Sequence, residues 1–395
     1  MPMKTRKLWI GFLTVVTVSF AVLLFFGREI YRQAPPIPDR VVTPDGNVLF
    51  TGQDIKDGQN VWQSMGGQEM GTVWGHGAYQ APDWSADWLH REAVFILNRM
   101  AQQTDSADFD RLSEARQASL KVLLQQEIRP NTYDAANGVL RVSALRAEAI
   151  ANNSRYYAGL FTDDPALDAE RDVYSVPENS LKDPERVRQL NAFFFWISWA
   201  CVTQRPGQEI TYTNNWPAEE LVGNKPTGAL LLWTGFSVII LIAGIGLMAW
   251  YYARRKDESS GNIPSDFPLK NEKITPSQKA TLKYFWIVSA LLLVQVLMGV
   301  ITAHYTVEGQ ALYGIPLAKW LPYQISRTWH VQIAIFWIAT SWLATGLYYA
   351  PAISGVEPKF QKLGVNFLFG ALLVIVVGSL VGQWLGVIQR LGLIQ

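Results

Sequence analysis

Apolar residues along this chain collect into five long runs that are separated by polar segments. The runs cover residues 8–27, 228–252, 284–302, 325–349 and 365–388. Because about 20 helical residues cross the roughly 30 Å hydrocarbon core of a bilayer, each run is long enough for a transmembrane helix. The pattern predicts a multi-pass membrane protein in contact with lipid.

The polar segment between the first two runs contains about 200 residues, enough for one soluble domain. A proline-rich connector at residues 34–38 precedes a predicted hairpin at 41–50 around a Pro-Asp-Gly turn. The apolar spacing then predicts helices at 85–100, with Ser85 as N-cap, and around 112–124 and 140–150. The apolar run at 193–202 is too short to span a bilayer and is predicted to be a buried core helix.

Basic residues lie on one side of the predicted spans. They are Lys4, Arg6 and Lys7, then Arg254, Arg255, Lys256, Lys270, Lys273 and Lys279, and finally Lys359 and Lys362. The positive-inside rule places these residues in the cytoplasm and the soluble domain outside it. The first run lacks a small-residue cleavage site and is interpreted as an uncleaved anchor. The predicted domains are therefore 1–27, 28–227 and 228–395.

The composition excludes some classes of protein and cofactor attachment. The formal net charge is only +1, so no overall field favours nucleic acid. The single cysteine, Cys201, rules out an intrachain disulfide and a Cys-x-x-Cys-His site for covalent heme. We interpret Cys201 as a small core residue.

His330 is an ionisable residue inside the fourth apolar run. A histidine there either packs between helices with its ring bonded to a carbonyl, or ligates the iron of a heme b clamped between helices. Arg327 lies on the same helical face, where it meets a heme propionate or extends its guanidinium to the interface.

His304 and Glu308 form a second candidate site where the third run reaches the outer side. If the helix continues, their spacing of four places both side chains on one face. Such a pair suits quinol oxidation, in which histidine and carboxylate accept protons, or is an ordinary interfacial polar pair. His76 and His90 have no partner at metal-ligand spacing and are predicted to be structural or solvated.

Several motifs closely resemble the quinol-dependent nitric oxide reductases of the heme-copper oxidase superfamily. The motifs are Ser-Arg-Thr-Trp-His at 326–330, Tyr-Tyr-Ala-Pro at 348–351, Val-Trp-Gln-Ser-Met-Gly-Gly-Gln at 61–68 and Gly-His-Gly-Ala-Tyr-Gln-Ala-Pro at 75–82. The resemblance runs along the whole chain but covers about the front half of that family's sequence. It implies a mainly α fold, in which the first spans of a heme-copper oxidase-like helix bundle follow an extracytoplasmic cytochrome c-like domain lacking heme.

The resemblance also implies roles for particular residues. His330 corresponds to one axial ligand of the low-spin heme b, with Arg327 beside it, and His304 with Glu308 corresponds to the quinol site. Gly77 and Tyr79 match positions that help to hold calcium in a two-subunit relative. The place of the cytochrome's Cys-x-x-Cys-His motif reads Gly-Gln-Glu-Met-Gly at 67–71, so the domain is expected to be a scaffold.

The family reaction converts two nitric oxide molecules, two electrons and two protons to nitrous oxide and water. It needs heme b3 and a non-heme iron held by three histidines and a glutamate, but no histidine follows His330 in this sequence. No catalytic residue is therefore assigned in this chain, which is expected to be a portion of the enzyme that lacks the C-terminal half of the catalytic domain. The expected location is a bacterial cytoplasmic membrane with the soluble domain on the periplasmic side. The sequence leaves open whether the protein forms a homodimer.

Two other readings remain from the residues alone. One is a non-catalytic, membrane-anchored quinol or heme electron-transfer subunit. The other is a structural assembly subunit with incidental histidines.

Overall fold

The structure, a computed structural model, describes residues 3–255 and 273–391. Up to residue 227 its elements are α1 (Met3–Gln33), β1 (Arg40–Val42), β2 (Val48–Thr51), α2 (Gly52–Ser64), α3 (Gly67–Met70), β3 (Thr72–Val73), β4 (His76–Gly77), α4 (Trp84–Asp105), α5 (Glu114–Ile128), β5 (Tyr133–Asp134), β6 (Val139–Arg141), α6 (Ala144–Phe161), α7 (Asp168–Tyr174) and α8 (Pro184–Val202). The remaining elements are α9 (Gly228–Arg255), α10 (Pro276–Glu308), α11 (Tyr323–Ser354) and α12 (Gln361–Val387). The mainly α fold predicted from the sequence is confirmed.

The contacts divide the chain into two compact units. One unit comprises Met1–Gly52, Leu89–Ala149 and Trp196–Pro226, and the other comprises Gln53–Trp88, Ile150–Phe195 and Thr227–Gln395. The predicted boundaries at residues 27 and 227 stay a prediction.

The first unit contains a small sheet with the strand order β2-β1-β6-β5. Strand β1 is antiparallel to β2 and parallel to β6. The predicted hairpin is confirmed, and Gly46 supplies the positive φ of +83° at its turn. Leu140, predicted in a helix, lies in β6 instead, and α6 begins only at Ala144.

A buried ion pair also lies in this unit. The Arg146 Nε–H donates to Glu92 Oε1 at 2.7 Å, and both side chains are almost fully buried. Such a pair offsets part of the desolvation cost of the two charges.

The soluble part of the second unit has an aromatic core. Trp84 stacks on Phe194 with centroids 5.5 Å apart, and Trp62, Tyr157 and Phe161 pack around this pair. Large rings of this kind dominate the burial of apolar area in a core. The predicted core helix at 193–202 is the buried end of α8.

The N-cap of α4 differs from the prediction. Asp83, rather than Ser85, accepts the main-chain N–H groups of Ser85 and Ala86 through Oδ1, each at 3.0 Å. Its other oxygen, Oδ2, accepts the Thr72 hydroxyl at 2.7 Å and the Gly75 N–H at 2.6 Å. Asp83 therefore caps the helix and also ties the β3–β4 hairpin to it.

Five described helices, α1 and α9 to α12, are long and apolar enough to cross a membrane. A capping box of Thr275 and Gln278 begins α10. Helix α10 packs against α11 and α12, and the Tyr284 hydroxyl donates to the Val365 carbonyl at 2.6 Å. The predicted spans are thus confirmed as helices. Of the basic residues used to orient them, Lys256 and Lys270 lie outside the described residues.

Candidate functional site

His330 lies two turns into α11 and faces α10. Its Nδ1–H donates to the main-chain carbonyl of Gln295 at 2.9 Å. A carbonyl only accepts, so this bond places the proton on Nδ1 and leaves the lone pair of the neutral ring on Nε2. The Gln295 side-chain amide is the described group near Nε2, at a loose 3.4 Å. The bond to a carbonyl agrees with the first reading of His330. The heme-ligand reading stays a prediction, with which the bond is compatible because metal-ligating histidines commonly donate their other ring N–H to a carbonyl.

Gly299 on α10 makes this approach of the imidazole possible. A Cβ atom at Gly299 would lie 2.7 Å from Cε1 and 2.9 Å from Nδ1 of His330, closer than real Cβ contacts. Neither Gly299 nor Gln295 was identified from the sequence. The available signal was Gln295 itself, a polar residue in an otherwise apolar run.

Arg327 does not extend into open water. Its guanidinium forms an ion pair with Glu69 of α3, and its side chain is 35% exposed. One turn earlier on α11, the Gln324 amide donates to the Met70 sulfur. A guanidinium has five N–H donors, so the pair with Glu69 leaves others for a further anion.

Helix α3 lies in the segment where the resemblance predicts the place of a heme-attachment motif. Gly66 begins it with a left-handed φ of +67°, and a side chain at Gly67 would overlap the Trp62 ring. The segment is therefore a tightly packed turn. Its Glu69 and Met70 side chains contact α11, so it has a definite structural role near the N-terminal end of that helix.

His304 and Glu308 share one face of α10, as predicted, because the helix continues through Glu308. The His304 Nδ1 and Glu308 Oε2 atoms are 3.4 Å apart. The His304 side chain is 10% exposed and that of Glu308 is 49% exposed. On its other side, the His304 Nε2–H donates to the Ala311 carbonyl at 3.0 Å.

A cavity of about 1040 Å³ has Ala311 in its lining, together with apolar residues such as Trp320, Pro322 and Trp384. Its lining includes charged residues of both signs: Asp163, Asp168, Arg171, Asp172, Glu178, Lys182, Asp183, Arg186, Lys319 and Arg390. The lining is therefore mixed, with charged groups of both signs beside apolar side chains.

Gly77 and Tyr79, the predicted calcium residues, lie beside α3. The Ala78 N–H between them donates to the Gln68 carbonyl at 2.9 Å, and Gly77 has a φ of +138°. The Tyr79 side chain is 84% exposed. One carbonyl and one phenol fall well short of the six to eight oxygens that calcium takes, so these two residues do not form a calcium site by themselves.

The other histidines and the cysteine have different surroundings. His76 is exposed in β4, and the His90 Nδ1 contacts Glu219 Oε2 at 2.9 Å. Cys201 is fully buried, as predicted. Over residues 3–255 and 273–391, no cluster of three or more His, Cys, Asp and Glu side chains is arranged to hold a metal ion.

Two protein families match the chain. Residues 38–218 match the NorB cytochrome c-like domain of nitric oxide reductase, and residues 279–393 match cytochrome C and quinol oxidase polypeptide I. The second range contains His304, Glu308, Arg327 and His330, and the first contains α3 with Gly77 and Tyr79. No curated protein matches the chain.

Proposed function

We propose that the chain is part of a nitric oxide reductase of the heme-copper oxidase superfamily, in which it supplies the quinol-oxidising site and one heme b ligand. The matches of residues 38–218 and 279–393 to the two family models support this proposal. The enzyme would couple quinol oxidation to the conversion of two nitric oxides, two electrons and two protons into nitrous oxide and water. None of the described residues is assigned to that second half-reaction.

The proximity of the two candidate sites on α10 is the observation that carries the proposal. His330 packs on Gly299, and His304 follows Gly299 by five residues. At 1.5 Å per residue, the two positions are about 7.5 Å apart along the helix axis. A quinol at His304 would therefore be close to a heme ligated by His330.

The His304 and Glu308 pair suits the protons that quinol oxidation releases. Quinol loses two electrons and two protons, and the Nδ1 lone pair of His304 can accept a proton from its hydroxyl. Glu308 is near Nδ1 and half exposed, so it can pass that proton to water outside the membrane. A heme b, when bound at His330, would be the acceptor of the electrons.

The described residues fit a heme b at His330. The Gln295 carbonyl holds the ring through Nδ1–H, and Nε2 would bind iron once the Gln295 side-chain amide, 3.4 Å away, turns aside. When bound, heme b supplies a one-electron acceptor. Arg327 has donors beyond its pair with Glu69 for a propionate, and calcium near Gly77 and Tyr79 would need ligands from other groups.

We also propose a location and an orientation for the protein. The chain would lie in a bacterial cytoplasmic membrane, with the segment between α1 and α9 as an outer domain and basic loops in the cytoplasm. This placement puts His304 and Glu308 at the outer leaflet.

The quinol assignment can be tested with a His304→Ala variant of the full-length enzyme. Loss of a general base lowers rates by about 10²–10⁴-fold, so heme reduction by quinol should slow on that order, whereas reduction by dithionite should be unchanged. Stopped-flow absorption measures both. His76→Ala is the matched control because His76 is exposed and distant in sequence from α10. Equal quinol rates in wild type and His304→Ala would exclude this site.

A further inference from the structure

The segment that follows α10 is held by three hydrogen bonds from one residue, Gln310. Its main-chain N–H donates to Asp172 Oδ1 at 3.0 Å. Its side-chain amide donates to the carbonyls of Arg171 at 3.0 Å and Val176 at 3.1 Å. Gln310 therefore ties this segment to α7 and to the turn that follows α7.

Gly309 allows the close approach that these bonds require. It has a positive φ of +84°, and a Cβ atom there would lie 2.6 Å from Asp172 Oδ2. Only glycine adopts this backbone conformation without strain and leaves room for the carboxylate.

Helix α7 is itself firmly held. The Arg171 side chain is 3% exposed and donates to the carbonyls of Gly159 at 2.8 Å and Asp164 at 2.7 Å. It also pairs with Asp168. The groups that bind Gln310 therefore belong to a rigid part of the fold, so they fix the position of the segment.

The residue after Gln310 sets the proton position on His304. The Ala311 carbonyl is 3.0 Å from His304 Nε2, and because a carbonyl only accepts, Nε2 carries the proton. In the neutral ring, Nδ1 then has the lone pair. The Glu308 carboxylate is an acceptor too, but at 3.4 Å from Nδ1 it competes for the proton less well than the carbonyl at 3.0 Å from Nε2.

We infer that Gln310 is a positioning residue that selects the Nε2–H tautomer of His304 by holding the Ala311 carbonyl against it. This inference rests on the proposed function, in which Nδ1 accepts the quinol proton. Without the tether, the carbonyl would leave and the proton would move to Nδ1, where it donates to the Glu308 carboxylate. His304 could then no longer accept a proton from quinol at that nitrogen.

Nuclear magnetic resonance of histidine-labelled protein tests the tautomer directly. The 395-residue chain contains four histidines, so its spectrum is simple, and His304→Ala identifies the His304 signal. Carbon and nitrogen shifts should show Nε2–H in the wild type and Nδ1–H in Gln310→Ala. Retention of Nε2–H in Gln310→Ala would overturn the inference.

Kinetics of the full-length enzyme provide the second measurement. With decylubiquinol or menadiol as donor, Gln310→Ala should lower kcat about 10- to 100-fold with little change in KM, because the base is misoriented while the binding pocket persists. Asp172→Asn keeps an acceptor oxygen and should retain most activity. Lys319→Ala, an exposed change on the same segment, is the control.

The outcomes separate this inference from the proposed function. If His304→Ala slows quinol oxidation but Gln310→Ala does not, the quinol site stands and the positioning role is wrong. If Gln310→Ala changes the tautomer but His304→Ala oxidises quinol normally, the tether stands and the quinol site is wrong. Should Gln310→Ala fail to fold, Asp172→Ala, which removes only one of the three bonds, must show a smaller shift toward Nδ1–H.

Discussion

At the scale of single residues, the His330 site depends on the absence of a side chain at Gly299. The imidazole packs where a Cβ atom would otherwise stand, and its Nδ1–H reaches the Gln295 carbonyl one turn away on α10. The ring orientation is therefore set by the main chain of a neighbouring helix. The proposed heme ligand is thus oriented by the main chain of α10, with the Gln295 side-chain amide at a looser distance from the ring.

A Gly299→Ala variant tests this dependence. The added methyl group must displace the ring, and overpacking of this kind costs about 1–3 kcal/mol. We expect the low-spin heme b band to fall strongly in absorption spectra of the full-length enzyme. Gly346→Ala on α11 is the control, because a Cβ atom there meets nothing within 4 Å. A normal band in Gly299→Ala would show that the ring does not need this space.

Single residues also differ in how well the sequence could identify them. His330, Arg327, His304 and Glu308 could be identified because ionisable residues stand out in or beside apolar runs. The role of Gly299 could not be predicted, because glycines occur in membrane helices for several different structural reasons. Ser85 was a plausible N-cap, but Asp83 is two residues earlier and its two oxygens bind both the helix and the hairpin.

At the scale of elements, α3 has become a contact between the cytochrome c-like domain and α11. Glu69 pairs with Arg327, and Met70 accepts a bond from Gln324. Arg327 precedes His330 by three residues, so the charge of this pair lies near the proposed heme. Neutralisation of Arg327 by Glu69 should therefore influence the reduction potential.

Glu69→Gln tests this influence. Removal of the carboxylate leaves the Arg327 charge uncompensated, and a positive charge favours the reduced heme. We expect the midpoint potential of heme b to rise on the order of 50 mV, where 59 mV is a tenfold change for one electron. Spectroelectrochemical titration measures it. Glu148→Gln, which breaks the exposed Arg99 pair, should leave the potential unchanged, and an unchanged potential in Glu69→Gln would contradict the expectation.

The elements differ in how far the sequence could predict them. The five apolar runs predicted the spanning helices because length and hydropathy are local properties. The contact of Gln310 with α7 joins residues more than 130 positions apart, and no local pattern reports it. Likewise, no local sequence pattern predicts the contact between α3 and α11.

At the scale of the whole molecule, the proposed orientation places the hairpin turn at Asp45 outside and the loop at Lys359 inside. Both residues are exposed. The single cysteine, Cys201, is fully buried, so the chain has a low background for thiol labelling.

Cysteine labelling of intact cells tests this orientation. With Cys201→Ser as background, a membrane-impermeant maleimide should label Asp45→Cys in intact cells and Lys359→Cys only after lysis. Lysed cells provide the control, since both positions must then react. Labelling of Lys359→Cys in intact cells would reverse the topology.

Covalent heme attachment at residues 67–71 would be incompatible with the present contacts of this segment. It would require cysteines and a histidine there, and the Glu69 and Met70 contacts with α11 would be lost with the side chains that make them. Each substitution toward such a site would weaken the contact of α3 with α11 before a cofactor could bind. The present packing of the segment therefore opposes any change toward heme attachment.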